Sequence, residues 1–315
     1  MKIVQDTEVR NFGMRNVTAC IGTFDGMHLG HQELLKQAYT IGNEEYIVIT
    51  FNEMPQRILK DKNYKYMINK LEKEKLLIAQ HATGIVYFDF EQIKDVDPES
   101  FCKILNEKYG INKIVVGEDF KFGKDRTGDI EFLKGYFNAN NVSIIPDKLV
   151  NGSRVSSSTI RNCLKNGDMS LANKLLGRPY SVYGQVIKGD GVGTELGFPT
   201  ANLKIDNNYR LPKNGVYAAT VLLDSNIASL PEGHRDKEYS GMVNIGFRPT
   251  LGNTSKTLHI EINIFDFDLS IYDYNLTLKF YDFLREEIKF DNLEGLSKQL
   301  IKDKQAAIKN LNLKH

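Results

Sequence analysis

Two different rhythms of apolar and polar residues divide the chain. From the amino terminus to about residue 180, short apolar runs alternate with stretches whose apolar residues recur at helical spacing. Such alternation is typical of a parallel sheet with helices on its faces, and ligands of these sheets usually bind beyond the carboxyl ends of the strands. The apolar runs predict strands at Val17–Ile21, Tyr46–Phe51, Ile85–Phe88, Lys113–Val116 and Val142–Ile145. The helical stretches lie near residues 30–41, 69–80, 98–109 and 129–139.

The rhythm changes after Pro179, where strand-like runs follow one another with turn residues between them. These runs are Tyr183–Lys188, Gly215–Leu223, Tyr239–Phe247, Leu258–Phe265 and Asn275–Leu284. Because no long helical stretch separates them, the pattern predicts an all-β barrel or sandwich. A final helix is predicted near Leu293–Leu311. The apolar residues expected to pack it on the barrel are Leu293, Leu296, Leu300, Ile301 and Ile308.

The change of rhythm places a domain boundary within the segment Leu176–Ser181. The chain has 315 residues, which is enough for two domains at roughly 100–200 residues each. We therefore predict an α/β domain over residues 1–178 and an all-β domain over residues 182–315.

Composition narrows the class of function. The 41 Lys and Arg residues nearly balance the 40 Asp and Glu residues, whereas domains that bind nucleic-acid phosphates usually carry a basic excess. The cysteines Cys20, Cys102 and Cys163 are odd in number and widely spaced, which disfavours a disulfide framework or a cysteine zinc site. The chain has no apolar run of about 18 residues and no signal-like apolar core. We expect a cytoplasmic protein that binds small molecules, with no nucleic-acid or membrane partner, and the sequence identifies no protein partner.

The segment Gly22–His31, GTFDGMHLGH, joins a predicted strand to a predicted helix. Gly22 and Gly26 allow a tight turn with the backbone close to a ligand. A helix amino terminus offers free N–H groups to a phosphate. His28 and His31 can face the same side, where two imidazoles would stabilise the charge that builds on a phosphorus under attack. A bare HxxH is more often two surface histidines; the strand, the glycines and the helix favour the phosphate site.

A second candidate site lies in a glycine-rich segment of the β half. Its glycines, whose backbone N–H groups can approach phosphates, are Gly189, Gly191 and Gly193. Thr200 and Asn202 follow and supply two oxygen ligands suited to Mg²⁺. A flexible hairpin loop is the plainer interpretation of such a segment when it stands alone.

Together these segments resemble the bacterial bifunctional riboflavin kinase/FMN adenylyltransferases. Residues 22–31 are similar to the signature of the HxGH nucleotidyltransferases, specifically the FAD synthetase half of that family. Residues 117–123 (GEDFKFG) resemble its GxDFxFG loop, and residues 155–161 (VSSSTIR) its ISSTxIR motif. Residues 193–202 (GTELGFPTAN) resemble the nucleotide signature of riboflavin kinases. Further matches follow in family order at 214–218, 244–250, 259–261, 283–290 and 299–307.

The resemblance implies a Rossmann-like nucleotidyltransferase domain followed by a riboflavin kinase barrel with a C-terminal helix. It implies that ATP with Mg²⁺ phosphorylates riboflavin to FMN, and that a second ATP adenylylates FMN to FAD with release of pyrophosphate. Glu261 would accept the proton of the ribityl hydroxyl, and His28 and His31 would stabilise the second transition state without forming a bond. Besides the three glycines, contacts to ATP or phosphate are implied for Gly22, Phe24, Asp25, Gly26, Ser157, Ser158 and Arg161. Flavin contacts are implied for Asp119, Phe120 and Arg285.

Four positions depart from the family pattern. Met54 stands where His is common and Thr23 where Asn is usual. Thr194 stands where the family carries an Arg. After Glu261 the family carries a His, whereas this chain has Ile262 and Asn263. Two alternatives therefore stay open. One is a riboflavin kinase whose adenylyltransferase half is attenuated, and the other is a non-enzymatic flavin-binding regulator.

Overall fold

The computed structural model describes residues 2–6, 15–188, 197–224, 232–234, 237–249 and 256–312. The chain forms two compact units, Met1–Thr159 and Ile160–His315. The division lies inside a helix, Ser157–Asn166. Among the described residues, no helix combines the length and the apolarity needed to cross a bilayer.

The first unit is built on a six-stranded parallel sheet. Its strands are β1 Lys2–Gln5, β2 Val17–Ile21, β3 Ile47–Phe51, β4 Gly84–Phe88, β5 Ile111–Gly117 and β6 Val142–Ile145. They lie in the order β1-β4-β3-β2-β5-β6, and every neighbouring pair is parallel. β2 and β4 are buried along their whole length, as expected for strands covered on both faces. The parallel α/β prediction is therefore confirmed, with β1 as a strand that the pattern did not reveal.

Helices cover both faces of this sheet and bury two apolar clusters against it. They are α1 Leu29–Ile41, α2 Pro55–Leu59, α3 Lys70–Ala79, α4 Phe90–Ile93, α5 Pro98–Lys103 and α6 Ile130–Phe137. A π-helical turn, Ile104–Lys108, extends α5, so the predicted helix over 98–109 changes geometry midway. Asp97 and Asp129 cap α5 and α6 by accepting hydrogen bonds from backbone N–H groups three residues on. A small hairpin follows β6, formed by β7 Leu149–Val150 and β8 Ser153–Arg154.

The second unit is a closed barrel of six antiparallel strands flanked by helices. The helices are α7 Ser157–Asn166, which begins in the first unit, α8 Met169–Leu176 and α9 Leu293–Asn312. The strands are β9 Tyr180–Ile187, β10 Ala201–Ile205, β11 Gly215–Leu223, β12 Glu238–Pro249, β13 Lys256–Ile264 and β14 Asn275–Arg285. Their order is β10-β13-β12-β11-β14-β9, closed by pairing of β9 with β10. Of the two predicted architectures, the barrel is confirmed. β10 was missed because it is short and carries polar residues.

The terminal helix α9 packs on the barrel, but only part of the predicted apolar set takes part: Leu300 packs against the core cluster, whereas three of the five residues are exposed. Leu293, Ile301 and Ile308 are exposed by 54%, 47% and 37%. The buried residues of α9 are Asp303, Ala307 and Leu311, which lie one or two helical turns apart on another face. Hydropathy could not place a carboxylate on the buried side.

An ion pair explains the orientation of α9. The guanidinium of Arg285, at the end of β14, donates from Nε to both Asp303 carboxylate oxygens at 2.9 and 3.0 Å and from Nη2 at 2.6 Å. Gln299 donates to the same carboxylate at 2.9 Å. A buried carboxylate is tolerated when its charge is paired and its oxygens accept several hydrogen bonds, and both conditions hold here.

We expect Asp303→Ala to destabilise the second unit by about 3–5 kcal/mol, because it leaves the Arg285 guanidinium without its buried partner. Ile301→Ala on the exposed face should change stability by less than about 0.5 kcal/mol. Urea unfolding of the full chain followed by circular dichroism measures both. A larger loss for Ile301→Ala than for Asp303→Ala would mean that α9 packs through its apolar stripe instead.

Candidate active sites

The order of strands in the first sheet reverses between β2 and β5. From β2 the chain adds β3 and β4 on one side, where the earlier strand β1 forms the edge, and then adds β5 and β6 on the other side. In open α/β sheets, ligands bind in the crevice outside the carboxyl ends of the strands at such a point. β2 ends at Ile21 and β5 at Gly117, so the segments 22–31 and 117–123 both begin at this edge. The topology therefore brings together two motifs that lie far apart in the sequence.

A cavity of about 730 Å³ opens at this edge, within the usual size range of ligand pockets. The predicted site residues that line it are Gly22, Phe24, His28, His31, Asp119, Phe120, Ser157 and Ser158. Asp25 and Gly26 are not among the lining residues, and Arg161 lies on α7 beyond the division between the units. Met54 precedes α2 as its N-cap residue and does not line the cavity, although Pro55 does.

The two histidines lie face to face at the amino terminus of α1. Their ring centroids are 3.6 Å apart and the rings are within 14° of parallel. His28 is the N-cap of the helix, because its Nδ1 accepts a hydrogen bond from the backbone N–H of His31 at 3.2 Å. With Nδ1 acting as acceptor, a neutral His28 ring carries its proton on Nε2. Nε2–H is then the hydrogen-bond donor of the ring.

Gly30 makes this stacking possible, a role that sequence reasoning missed. A Cβ atom on Gly30 would lie 3.2 Å from two ring atoms of His28 and 3.6 Å from the carbonyl oxygen of Val155. Contacts near 3.2 Å are tight for a real Cβ atom, so the His28 ring would have to move. The glycine of the HxGH pattern thus leaves room for the imidazole that precedes it.

The turn that leads into α1 is tightly wound. Phe24 and Met27 have φ angles of 51° and 45°, in the region that non-glycine residues rarely adopt, and Gly26 has φ 84°. Phe24 is fully buried. Its ring meets the edge of the His31 ring at 5.3 Å and an interplanar angle of 62°. Phe24 therefore supports His31 from inside the protein.

Two side chains hold the Thr23 carbonyl at the start of this turn. The Thr50 hydroxyl donates to it at 3.3 Å, and the Lys73 ammonium donates to it at 3.0 Å. Lys73 is only 6% exposed. Burial lowers its pKa to about 8, while the Asp25 carboxylate acts in the opposite direction. The sequence offered no sign of Lys73, because one lysine among several on a helix is expected to be exposed.

The ISST-like segment is joined to the same turn. The Ser157 hydroxyl donates to the backbone carbonyl of Asp25 at 3.0 Å, and an Asp25 carboxylate oxygen accepts from the Met67 backbone N–H at 2.8 Å. The cap of α7 comes from Ser156, whose Oγ accepts from the Thr159 backbone N–H at 3.2 Å. The predicted donor Ser157 therefore supports the first motif with its hydroxyl, and the capping role belongs to Ser156.

Charged groups surround the mouth of the cavity. Asp119, which was predicted to contact the flavin, accepts a hydrogen bond from Arg154 Nη2 at 2.9 Å, and Arg154 also pairs with Asp147. All three residues line the cavity. The ring of Phe120 is stacked on that of Phe122 at 5.6 Å, which gives the same wall an aromatic surface. Arg154 was not foreseen, because it precedes the recognised motif.

In the second unit, three polar residues form one row across the barrel. The strand register places Asn202 of β10 and Asn244 of β12 directly opposite Glu261 of β13, one on each side. Residues directly opposite in antiparallel strands project from the same face of the sheet, so the two amides flank the carboxylate. The sequence identified Asn202 and Glu261, but the register adds Asn244. Its signal was its place at the start of the segment 244–250.

Only one of the two polar atoms of the Asn244 amide has a hydrogen-bond partner among the described residues. Its Nδ2 donates to Glu287 Oε1 at 3.3 Å. Its Oδ1 is buried and has no hydrogen-bond partner among the described residues. Glu287 comes so close to β12 that a Cβ on Gly246 would lie 2.0 Å from its Oε1. A glycine at position 246 is therefore required for this carboxylate to lie beside the row.

Asn263, which stands near the position of a family histidine, has a structural contact. It is 6% exposed, and its Nδ2 donates to the backbone carbonyl of Pro199 at 2.8 Å. This bond ties β13 to the segment that carries Thr200. Arg285, predicted to contact the flavin, is engaged by Asp303 as described above.

The predicted phosphate-binding glycines, Gly189, Gly191 and Gly193, lie outside the described residues, as does Thr194. Within the part of the chain that the structure describes, no group of three or more His, Cys, Asp or Glu side chains is placed to hold a metal ion.

Comparison with known proteins matches both halves of the chain. A riboflavin kinase family model matches residues 176–311, and an FAD synthetase family model matches residues 13–159. A bifunctional riboflavin kinase/FMN adenylyltransferase of Buchnera aphidicola subsp. Schizaphis graminum is 35% identical over 307 residues, covering 95% of each chain. One from Bacillus subtilis is 34% identical over 297 residues, covering 92% of this chain and 90% of that protein. A crystal structure described as a macrolide-efflux protein from Streptococcus pneumoniae has a TM-score of 0.85 and 27% identity, covering 98% of this chain and 99% of that one.

We expect Gly30→Ala to lower the adenylyl transfer implied for the first unit by about tenfold or more, because it displaces the His28 ring from its stacked position. Gly135→Ala is the matched control. Gly135 also lies in a helix, but nothing is within 4 Å of its added Cβ. Initial rates measured with both substrates in excess test this, and equal rates for the two variants would contradict it.

Proposed function

Because the chain belongs to the bifunctional riboflavin kinase/FMN adenylyltransferase family, we propose that its barrel phosphorylates riboflavin with ATP to give FMN, and that its α/β unit adenylylates FMN with a second ATP to give FAD and pyrophosphate. The observation that carries the second assignment is the stacked histidine pair at a helix amino terminus, inside a cavity at the topological switch point. For the first assignment it is the row formed by Asn202, Glu261 and Asn244.

In the adenylyl transfer, the FMN phosphate attacks the α-phosphorus of ATP and pyrophosphate leaves, so no protein nucleophile is needed. Negative charge grows on the oxygens around phosphorus in the transition state. The His28 Nε2–H, the His31 ring and the backbone N–H groups at the start of α1 would act as fixed donors at the cavity edge. Fixed donors lower the barrier because they need no reorganisation when the charge appears.

In the kinase reaction, Glu261 accepts the proton of the ribityl hydroxyl as that oxygen attacks the γ-phosphorus of ATP, the bond from the γ-phosphorus to the bridging oxygen breaks and ADP leaves. Such general-base assistance is worth about 10²–10⁴-fold. The flanking amides of Asn202 and Asn244 restrict where the carboxylate and the hydroxyl can lie. Positioning of this kind contributes through proximity and orientation.

The row formed by Asn202, Glu261 and Asn244 carries side-chain oxygen atoms of the kind that Mg²⁺ prefers as ligands. This hard cation takes oxygen ligands and often needs few protein groups besides phosphate oxygens. Asn202 is 8% exposed, and the buried Asn244 Oδ1 has no hydrogen-bond partner among the described residues. Thr200 and Asn202 would hold the ion, which would neutralise charge on the transferred phosphoryl group.

Met54 gives no support to an attenuated adenylyltransferase. It does not line the cavity, whereas both histidines and the serines at the start of α7 do. We propose residues 1–178 and 182–315 as the two functional domains; the riboflavin kinase match begins near this boundary, at residue 176, whereas the structural units divide after Thr159. The cytoplasmic location stays a prediction from the sequence.

Two substitutions should separate the activities. Glu261→Gln should reduce FMN formation by about 10²-fold or more and leave FAD formation from supplied FMN intact. His28→Ala should do the reverse, so that FMN accumulates. Chromatography with fluorescence detection of riboflavin, FMN and FAD measures both steps, and each variant serves as the folding control for the other. Equal loss of both activities in either variant would refute the assignment of that residue.

The metal assignment has a separate test. Asn202→Ala should raise the Mg²⁺ concentration that gives half-maximal FMN formation by at least about tenfold, since it removes a direct ligand. Asn207→Ala, an exposed asparagine just beyond β10, is the control. An unchanged Mg²⁺ dependence in Asn202→Ala would exclude Asn202 as a ligand.

A further inference from the structure

Lys73 is a buried lysine that the proposed chemistry does not use. It lies on α3, where the buried positions are Lys73 and Leu77, one turn apart. The neighbouring Lys70 and Lys75 are exposed, as lysines on helices usually are. Position 73 is therefore one that an amphipathic helix would normally fill with an apolar residue, and a lysine there requires a specific partner.

That partner is the turn that carries the histidines. The Lys73 ammonium donates to the Thr23 carbonyl at 3.0 Å, and Thr23 itself lines the cavity. Five residues later along the chain, His28 caps α1. Between them the backbone takes unfavourable positive φ angles at Phe24 and Met27. Because such angles persist only where the surroundings impose them, an anchor on Thr23 acts directly on the geometry of the turn.

The charges around the ammonium come from two elements. Asp25, which is 1% exposed, belongs to the turn itself and attracts the ammonium. On α3, Lys70 repels it and Glu74 attracts it. Tyr87 of β4 lies beneath Lys70, 4.3 Å from that nitrogen to the ring centroid, and burial raises the pKa of the Tyr87 hydroxyl, so it remains neutral. The Asp25 carboxylate is thus the negative group of the turn that Lys73 faces.

We propose that Lys73 is a positioning residue for adenylyl transfer, holding the Thr23 carbonyl and the Asp25 charge so that His28 and His31 stay aligned. The inference rests on the adenylyltransferase function proposed for the first unit. Lys73 acts in its charged form, because a charge-assisted hydrogen bond is roughly twice as strong as a neutral one and only the ammonium is attracted to Asp25.

A pH dependence follows. Burial lowers the pKa of Lys73 to about 8, so the ammonium is present below that pH and is lost above it. FAD formation from supplied FMN and ATP should therefore fall by about fivefold between pH 7 and pH 9, because the protonated fraction falls about tenfold while the neutral form keeps roughly a tenth of the rate. FMN formation by the barrel of the same chain does not involve Lys73. The ratio of the two rates isolates the effect from general changes in the protein.

The test compares the full parent chain with Lys73→Met, Lys73→Arg and Lys134→Met, a lysine of α6 paired only with Glu131 among the described residues. We expect Lys73→Met to reduce FAD formation about tenfold at pH 7 and to remove the decline between pH 7 and pH 9. Lys73→Arg keeps a permanent cation and should retain its rate at pH 9. Lys134→Met should follow the parent at every pH.

Three results would overturn the proposal. They are an unchanged FAD rate in Lys73→Met at pH 7, a decline with pH in that variant as steep as in the parent, or a parallel decline in Lys73→Arg. If Lys73→Met loses both activities together, the pH profile of Lys73→Arg is the test. An FAD rate retained at pH 9 in that variant supports the proposal, and a decline parallel to that of the parent overturns it. A parent chain that forms FMN but no FAD at any pH would instead refute the adenylyltransferase function itself, and this result is distinct from the other three.

Discussion

The α/β unit depends on one tight turn, residues 22–27, between the central strand β2 and helix α1. In the proposed adenylyl transfer, this turn presents backbone N–H groups to a phosphate and directs the start of α1 towards the cavity. Its strained conformation has several anchors, namely the two donors on the Thr23 carbonyl, the Met67 bond to Asp25 and the Ser157 bond to the Asp25 carbonyl. Each anchor comes from a different part of the chain. The sheet, α3 and α7 therefore all bond to the same few atoms of the turn.

Both units place a charged group at a position where the hydrophobic pattern calls for an apolar one. In the first unit Lys73 is buried against the turn, and in the second Asp303 is buried against Arg285. Burying an ion is unfavourable unless its hydrogen bonds are made, and such pairs often do little for net stability. Such pairs can instead fix the orientation of a helix, because the hydrogen bonds to the carbonyl or from the guanidinium form only when the helix is turned the right way. The two helices α3 and α9 are thereby oriented by polar contacts within otherwise apolar interfaces.

Much of the fold could be predicted from the sequence. The alternation of apolar runs and helical stretches identified five of the six strands of the parallel sheet, and the caps Asp97 and Asp129 marked two helix starts. In the barrel, the long apolar strands were recognised, whereas β10 was not, because five residues with polar positions carry too little periodicity. The motif with glycines and histidines and the motif with serines predicted part of the cavity wall. Each motif adjoins a strand or helix, and the end of that element fixes where the motif lies.

Sequence alone determined which residue types are available for chemistry and which elements carry them, since local spacing decides strand, helix and turn. Only the tertiary structure decided which of these residues meet. The side-by-side placement of segments 22–31 and 117–123 follows from strand order, and the row Asn202, Glu261 and Asn244 follows from register. The roles of Lys73 and Arg154 depend on partners 7 to 50 positions away, and the role of Gly30 depends on the exact fit of a ring, which no local pattern encodes. Contacts between residues far apart in the sequence form only when the whole chain folds. The charge, packing and backbone direction at each contact are therefore set by the tertiary structure.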